Sequence, residues 1–364
     1  MKIQPLPPDE LDPFIEFPWT LHAADPLWVP PLGQPIRAEL SGTNAFGKYG
    51  QIQPFLATRG GETVGRLAAI VNPRLVDMDE APVGQIGYFE SIDDPDVAGA
   101  LFEVAFSWLK DRGARTVWGP MNGGVHRLHR FMTTGFQLAP FLSEPRNPAY
   151  YPDLFQTHGF GAIARWTSFD LPIETIAALP ETFGLERILQ RASRSLRIEP
   201  LQTTDLEATL KRIHPLLDEV WSGHIGFTPF DLEEFGEFFG GVLALLCERN
   251  IGVVVDRKTN RDVGCAFMLP DYVEAVRELQ GDASGWGSWM GGPVPRRMLL
   301  HTLAVLPSAQ RRGGQFALLE NGIRFAVEDG FETITVALAV DTVRPLFERI
   351  ALPTREYKLF GRAL

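Results

Sequence analysis

Cysteine is almost absent from this chain, with only Cys247 and Cys265 among 364 residues. Two thiols build neither a disulfide framework nor a four-thiolate zinc site, and their flanks, LALLCER and VGCAFML, read as buried apolar segments. Both are therefore expected to be structural. Long apolar runs are missing as well. The longest, around Gly241 to Cys247, falls far short of the roughly 20 residues that span a bilayer, so no membrane partner is expected. The N-terminal MKIQPLPPDELDPF has no apolar stretch behind its one Lys, so the reading carries no secretory signal and places the protein in the cytoplasm. Positive charge is in deficit, with 34 Lys plus Arg against 45 Asp plus Glu and a formal net charge of −11. A surface of that sign repels phosphate backbones, so nucleic acid is not an expected partner, although a local basic pocket is compatible with it.

What is present is ordinary globular material, 45% hydrophobic and 22% charged, in a length that suggests two domains. Gln53 to Asn72 reads as a hairpin turning at Arg59 to Gly61, Gln85 to Ser91 as a strand, and Ala98 to Arg112 as a helix with Leu101, Val104, Ala105 and Leu109 on one face. A strand at Thr116 to Trp118 and a helix at Tyr151 to His158 follow, with Gly159 as C-cap. Pro172 to Arg194 shows little periodicity. Beyond it the same order returns: strand Ser195 to Leu201, helix Asp205 to Val220, hairpin Ile251 to Leu269, strand Met298 to Val305, helix Gln315 to Glu328, strand Thr333 to Leu338 and helix Thr342 to Arg349. GETVGRLAAIV is echoed by NRDVGCAFML, and PDLFQTHGF by PLFERIAL, in that order. The expectation is a duplicated α/β chain of mixed α+β sheets, with domains at 1–171 and 195–364 joined by 172–194.

The most informative segment is His301 to Leu319, HTLAVLPSAQRRGGQFALL: an apolar strand, a proline turn, a basic glycine pair and an amphipathic helix. Gly313 and Gly314 let backbone approach a ligand, the helix start offers unpaired N–H groups, and Arg311 and Arg312 add fixed positive charge. That combination reads as a phosphate cradle. No GK[ST] follows the glycines and GxGxxG is missing, which sets aside a P-loop and a dinucleotide fold.

At these residues the chain resembles the GNAT superfamily of acyl-CoA-dependent N-acyltransferases, whose signature V-x-P-x-x-[QR]-x-x-G-x-[GA] precedes a helix containing LL. Val305, Pro307, Gln310 and Gly313 match it, with Leu318 and Leu319 behind, while Gln315 stands at the final small-residue position. NPAYYPDLFQTHGF, VWSGHIGFTPFDLEEF, LPDYVEA and REYKLF, in that order, extend the likeness to bacterial proteins with two tandem GNAT-like domains. The resemblance implies acetyl-CoA or another acyl-CoA as co-substrate, held through Leu303, Val305 and the run Gln310, Arg311, Arg312, Gly313, Gly314, Gln315 and Phe316. In the first half GQIGYFESI runs into DDPDVAGALFEV, where acidic residues replace the basic glycines, so one coenzyme site is expected, in the second half.

The same resemblance implies the remaining roles. His301, in the pattern HxLAV, matches the histidine that relays the amine proton in arylalkylamine N-acetyltransferases; the alternative is a histidine packed between strand and helix. Phe347 stands where many GNAT enzymes carry a thiolate-protonating Tyr, and nearby Asp341 reads as a helix N-cap. Trp221, His224 and Phe227 border the expected acceptor cleft, with Trp286 and Trp289 in a glycine-rich loop; packing or plain surface loop is the alternative for each. Asn122, in GPMNGG, lines the cleft or forms a tight turn. His126 and His129 form HxxH, but no third ligand is evident and no metal is expected. The expected activity is acyl transfer to a small-molecule amine, the alternatives being a non-catalytic acyl-CoA or metabolite binder and transfer from aminoacyl-tRNA, which the charge disfavours. A homodimer is compatible with the sequence.

Overall fold

The computed structural model describes the chain except residues 32, 78, 179–183, 202–203, 245–250, 283 and 285–294, and the side chains of 33–34 and 241–244. Strands rich in Val, Ile, Leu and Ala, and covered on both faces, form its centre, because such runs lose most apolar surface when helices lie above and below them. The first half runs β1 (Lys2–Pro5), α1 (Asp12–Leu21), α2 (Gly33–Ser41), β2 (Gln51–Arg59), β3 (Glu62–Val76), β4 (Pro82–Ser91), α3 (Pro95–Lys110), β5 (Thr116–Gly119), β6 (Phe131–Thr134), α4 (Tyr151–Thr157) and β7 (Gly161–Pro172). Two helices connect, α5 (Ile173–Ala177) and α6 (Leu185–Ser193). The second half runs β8 (Leu196–Pro200), α7 (Leu206–Trp221), α8 (Leu232–Ala244), β9 (Ile251–Asp256), β10 (Asp262–Pro270), α9 (Val273–Glu278), β11 (Arg297–Val305), α10 (Pro307–Gln310), α11 (Gly314–Glu328), β12 (Thr333–Val340), α12 (Arg344–Phe347) and β13 (Arg355–Ala363).

These strands form one continuous sheet in the order β1-β2-β3-β4-β5-β13-β7-β12-β11-β10-β9-β8, with β6 beside β13. Only β4·β5 and β11·β12 are parallel among the described pairs. The two halves exchange their last strands: β7 pairs β12 from Thr333↔Pro172 to Val340↔Trp166, while β13 pairs β5 from Phe360↔Gly119 to Ala363↔Thr116. β7 and β13 in turn pair each other, so no edge separates the halves.

Helix ends follow local chemistry. Asp94 accepts from the Asp96 N–H at the start of α3, and Asp205 accepts from the Ala208 N–H at the start of α7. In the first half α1 and α2 pack on the sheet apart from α3 and α4; in the second, α7 and α8 pair with each other while α11 lies against α5, α6 and the strands. The central helix reaches the sheet closely, since a Cβ at Gly322 would meet Met268 Sδ at 2.0 Å. Leu338 on β12 touches both the α7–α8 core and the cluster of Trp166, Tyr357 and Leu359 at the sheet centre.

Sequence periodicity located the hairpins, α3, α7 and α11. It overextended the last helix, expected over Thr342 to Arg349 and confined to Arg344–Phe347. It missed α5 and α6, although LERILQRAS carries Leu185, Ile188 and Ala192 at helical spacing. It also missed β7 and β13, whose partners lie far away in the chain.

Candidate functional site

β11 and β12 pair only over Arg297–Leu300 with Thr333–Val336, although β11 continues to Val305 and β12 to Val340. Two irregularities at this level force them apart. On β11, Phe267 faces Thr302 while Met268 faces Leu300, which leaves His301 as a bulged residue. On β12 the register with β7 slips between Val336 and Ala339; Leu338 takes φ 57, and its N–H donates to Ser168 Oγ at 3.1 Å. The opened ladder frees backbone groups between His301 and Val305 on the β12 side.

Directly after this opening comes the glycine loop. Gln310 Nε2 donates to the Val305 carbonyl at 2.8 Å and fixes the turn to the strand end. Gly313 is left-handed, φ 86, and starts α11, whose first amides have no intrahelical acceptor. Its missing side chain admits α6: a Cβ there would stand 2.7 Å from Ile188 Cγ2. Arg312 is already engaged, its Nε on the Ser308 carbonyl at 3.1 Å and its Nη1 2.7 Å from Asp256 Oδ2. Asp256 also accepts from the Lys258 and Thr259 amides, and these bonds with Arg312 hold its pKa down to about 2. Arg311 is exposed beside the loop. Gln315 Oε1 is buried without a partner, an acceptor that a ligand N–H would satisfy. Val305 is buried, and Leu303 and Phe316 are half-buried. The cradle thus fits a phosphate-bearing carrier through bare glycine backbone, helix amides, Gln315 and Arg311.

His301 is half-buried, with Nδ1 2.9 Å from Thr302 Oγ1. Burial pushes its pKa down to about 4, so the imidazole is neutral at pH 7 and able to accept a proton.

The first half opens at the corresponding place but is filled by its own chain. β4 and β5 pair over Val83–Gln85 with Thr116–Trp118, and Tyr88 is bulged at φ 51. The loop after β5 then enters: the Met121 N–H donates to the Ile86 carbonyl at 2.8 Å, Asn122 Oδ1 accepts from the Tyr88 N–H at 2.9 Å, and the Gly123 N–H donates to Gln85 Oε1 at 2.9 Å. Asn122 therefore sits inside the first-half opening. The start of α3 there carries Asp94 and Asp96 rather than basic residues.

The α7–α8 connection faces this loop from the other half. A Cβ at Gly226 would meet Val125 Cγ1 at 2.8 Å and Met121 Cε at 3.1 Å. Trp221 stacks on Phe239 with centroids 5.8 Å apart, Phe227 lies 5.9 Å from Phe230, and His224 is exposed between them. Trp286, Trp289 and Cys247 lie outside the described residues. Cys265 is buried, which pushes its thiol pKa up. Phe347 packs on Phe169 at 5.7 Å and supplies no hydroxyl. Asp341 is not a helix cap: α12 starts after Val343, and Asp341 accepts from Arg165 Nε at 3.3 Å. His126 lies against Phe230 and Phe238, while His129 stands edge-on to Trp166, so the HxxH pair faces different surroundings.

Sequence reasoning missed a buried ionic network between the halves. Arg127 and Tyr88 both donate to Glu39, Tyr49 donates to Glu234 at 2.8 Å, and Arg74 and Arg127 each stand 3.4 Å from Glu234. Glu234 is fully buried, and His126, 3.5 Å away, with Tyr49 and Arg127 holds its pKa down against the desolvation that would raise it. Its members are scattered along the chain from Glu39 to Glu234, so no local pattern signals it.

No family model matches the chain. It is 26% identical over 282 residues, 77% of its length and 72% of the relative's, to a bacterial ceramide synthase of Caulobacter vibrioides (strain NA1000 / CB15N). It is 26% identical over 283 residues to the protein YghO of Escherichia coli (strain K12), covering 77% of this chain and 70% of that one. A tandem GNAT protein from the clavulanic acid biosynthesis pathway superposes over 100% of this chain and 98% of its own, with a TM-score of 0.54 at 13% identity. No helix among the described residues is long and apolar enough to cross a membrane. The opened parallel ladder, the glycine loop behind it and the same architecture repeated along the chain give it the fold of tandem GNAT proteins.

Proposed function

We propose that the chain is an acyl-CoA-dependent N-acyltransferase with one working site, in the second half. The observation that carries this reading is the pairing of the opened β11–β12 ladder, bulged at His301, with the Pro307–Gly314 loop immediately after it. Bound there, an acyl-CoA supplies a thioester whose carbonyl carbon is open to an amine. The amides of Gly314 and Gln315, together with Arg311, hold its phosphates. Freed backbone N–H groups between His301 and Val305 steady the carbonyl oxygen as negative charge develops on it. His301 takes the proton that the amine nitrogen gives up when its C–N bond forms, and the C–S bond breaks to release thiolate. Phe347 cannot protonate that sulfur, so water or the protonated His301 does so. The name of the Caulobacter relative supports amide formation, since a ceramide is an N-acyl amide. The acceptor is an amine.

Incubation with acetyl- and long-chain acyl-CoA and a panel of amines, with free thiol and amide product both measured, tests the reading. Thiol release that depends on amine and falls in His301→Ala is the expected result. Phe347 favours a second reading, a binder that holds acyl-CoA without turnover. That reading gives coenzyme binding with no thiol release for any amine.

A further inference from the structure

Arg130 carries a charge with no counter-ion. It lies at the end of the loop after β5, its Nε donates to the His129 carbonyl at 3.1 Å, and its guanidinium carbon rests 4.3 Å over the Trp166 ring. Among the described residues no carboxylate reaches it, and its Nη1 is buried without a hydrogen-bond partner. Burial lowers its pKa to about 9, whereas the neighbouring buried Arg127 and Arg355 each face two carboxylates. A buried guanidinium lacking an anion is costly, and ordinary proteins pair it. Its backbone is also forced, at φ 76, into the left-handed region that a long side chain adopts at a cost.

His129 beside it is 3% exposed and edge-on to the same Trp166, with centroids 5.2 Å apart. Its Nδ1 stands 2.9 Å from the Arg127 carbonyl and 3.3 Å from Arg130 Nη2, and its Nε2 is buried and unpartnered. Arg130 Nη1 and His129 Nε2 are thus both buried and unpartnered beside one tryptophan. Their place in the sheet gives this meaning. Trp166 is the register partner of Val340 on β12, one strand spacing of about 4.8 Å away, and Val340 lies beyond the level where β12 leaves β11. Leu338, on the opened stretch, packs in the same cluster as Trp166.

Resting on the acyltransferase reading, we propose that Arg130 and His129 form a subsite for the acceptor, in which Arg130 pairs with a carboxylate or phosphate carried by the amine and His129 Nε2 hydrogen-bonds a polar group of the same molecule. The substrate class is then an amine bearing an anionic group. The first half supplies acceptor recognition from its filled slot, while the second half holds the carrier.

The test is calorimetric titration of the full chain with inorganic phosphate, O-phosphoethanolamine and glycine, and with ethanolamine as the uncharged-head control. Phosphate and phosphoethanolamine binding without glycine binding identifies phosphate as the group; the converse identifies carboxylate. Arg130→Met is expected to weaken the anionic probe at least tenfold and Arg130→Lys to restore part of it, with coenzyme affinity unchanged in both. In turnover, the KM advantage of the anionic amine over ethanolamine should shrink about tenfold in Arg130→Met while kcat holds. Should Arg130→Met not fold, Arg130→Lys against the parent chain, read by the same KM ratio and titrations, decides. A parent chain that binds none of the anionic probes, or a variant that binds them equally well, overturns the subsite. Absence of thiol release with every amine overturns the acyltransferase reading alone, because the titrations still report on Arg130.

Discussion

At the scale of single residues, the site separates two arginines that look equivalent in sequence. Arg312 is tied to Asp256 and the Ser308 carbonyl, so its charge is already used within the loop. Arg311 is exposed, with no such bond among the described residues. Arg311→Ala should therefore weaken CoA binding by about 1 to 3 kcal/mol, the scale of a lost charge-assisted contact, as measured by calorimetry. Arg312→Ala should act through loop order, lowering thermal stability more than it lowers affinity. Asp256, held at about 2 against an ordinary 3.8, binds its proton less readily when folded, so its contribution is complete above pH 4 and lost as pH falls through about 2. His301 makes a second pH statement. With its pKa near 4 instead of 6.5, the folded chain keeps it neutral through the range in which the unfolded chain protonates it, so stability from this group declines as pH drops from about 6.5 to 4. Its use as base predicts a kcat/KM profile with no acid limb at 6 to 7 from the enzyme, and a loss of about 10² to 10⁴ in kcat for His301→Ala with CoA affinity retained. The motif positions of His301, Gln310 and Gly313 were legible because they are local. The Arg312–Asp256 pair was not, since it joins residues 56 positions apart.

At the scale of elements, the glycine loop depends on a helix that periodicity overlooked. Gly313 combines a left-handed backbone with contact to Ile188 on α6, so Gly313→Ala faces two penalties at once. The left-handed conformation costs roughly 1 to 2 kcal/mol for a residue with a Cβ, and overpacking against Ile188 a further 1 to 3 kcal/mol. Chemical denaturation should show the sum, and adding Ile188→Ala should recover the second part but not the first. Recovery of neither would mean that α6 does not abut the loop. The opening of β11 from β12 has a different origin. It comes from a one-residue bulge on each strand, and bulges leave no trace in hydrophobic alternation beyond a polar residue, His301, in an otherwise apolar run. The α/β class and the strand–loop–helix order around Gly313 could be read from spacing and order, and the tandem arrangement from the family resemblance. The opening of the ladder, and the placing of Arg130 and His129 on Trp166, arise from register and long-range packing and could not.

At the scale of the whole molecule, the two similar halves differ in what fills their openings and are physically interlocked. The first-half opening is occupied by Met121, Asn122 and Gly123, so calorimetry should find one CoA per chain, and Asn122→Ala should leave that number unchanged. The interlocking follows from the exchanged strands. A fragment ending at 171 keeps most of β7 but loses β12 and β13, its partners on both sides; a fragment starting at 195 loses β7 and leaves the β12 edge open. Bare, apolar edges of that kind recruit other chains. Glu234 would also be stripped of Tyr49, Arg74 and Arg127, which stands as a buried charge losing its partners, a change worth about 3 to 5 kcal/mol. Each fragment made alone should therefore aggregate or fail to melt cooperatively, whereas the two made together should co-purify as a 1:1 pair. That pair lacks α6 behind Gly313 and should bind CoA more weakly than the intact chain. Two separately soluble fragments, each with its own cooperative melt, would show that the exchange of β7 and β13 is not what holds the halves in register.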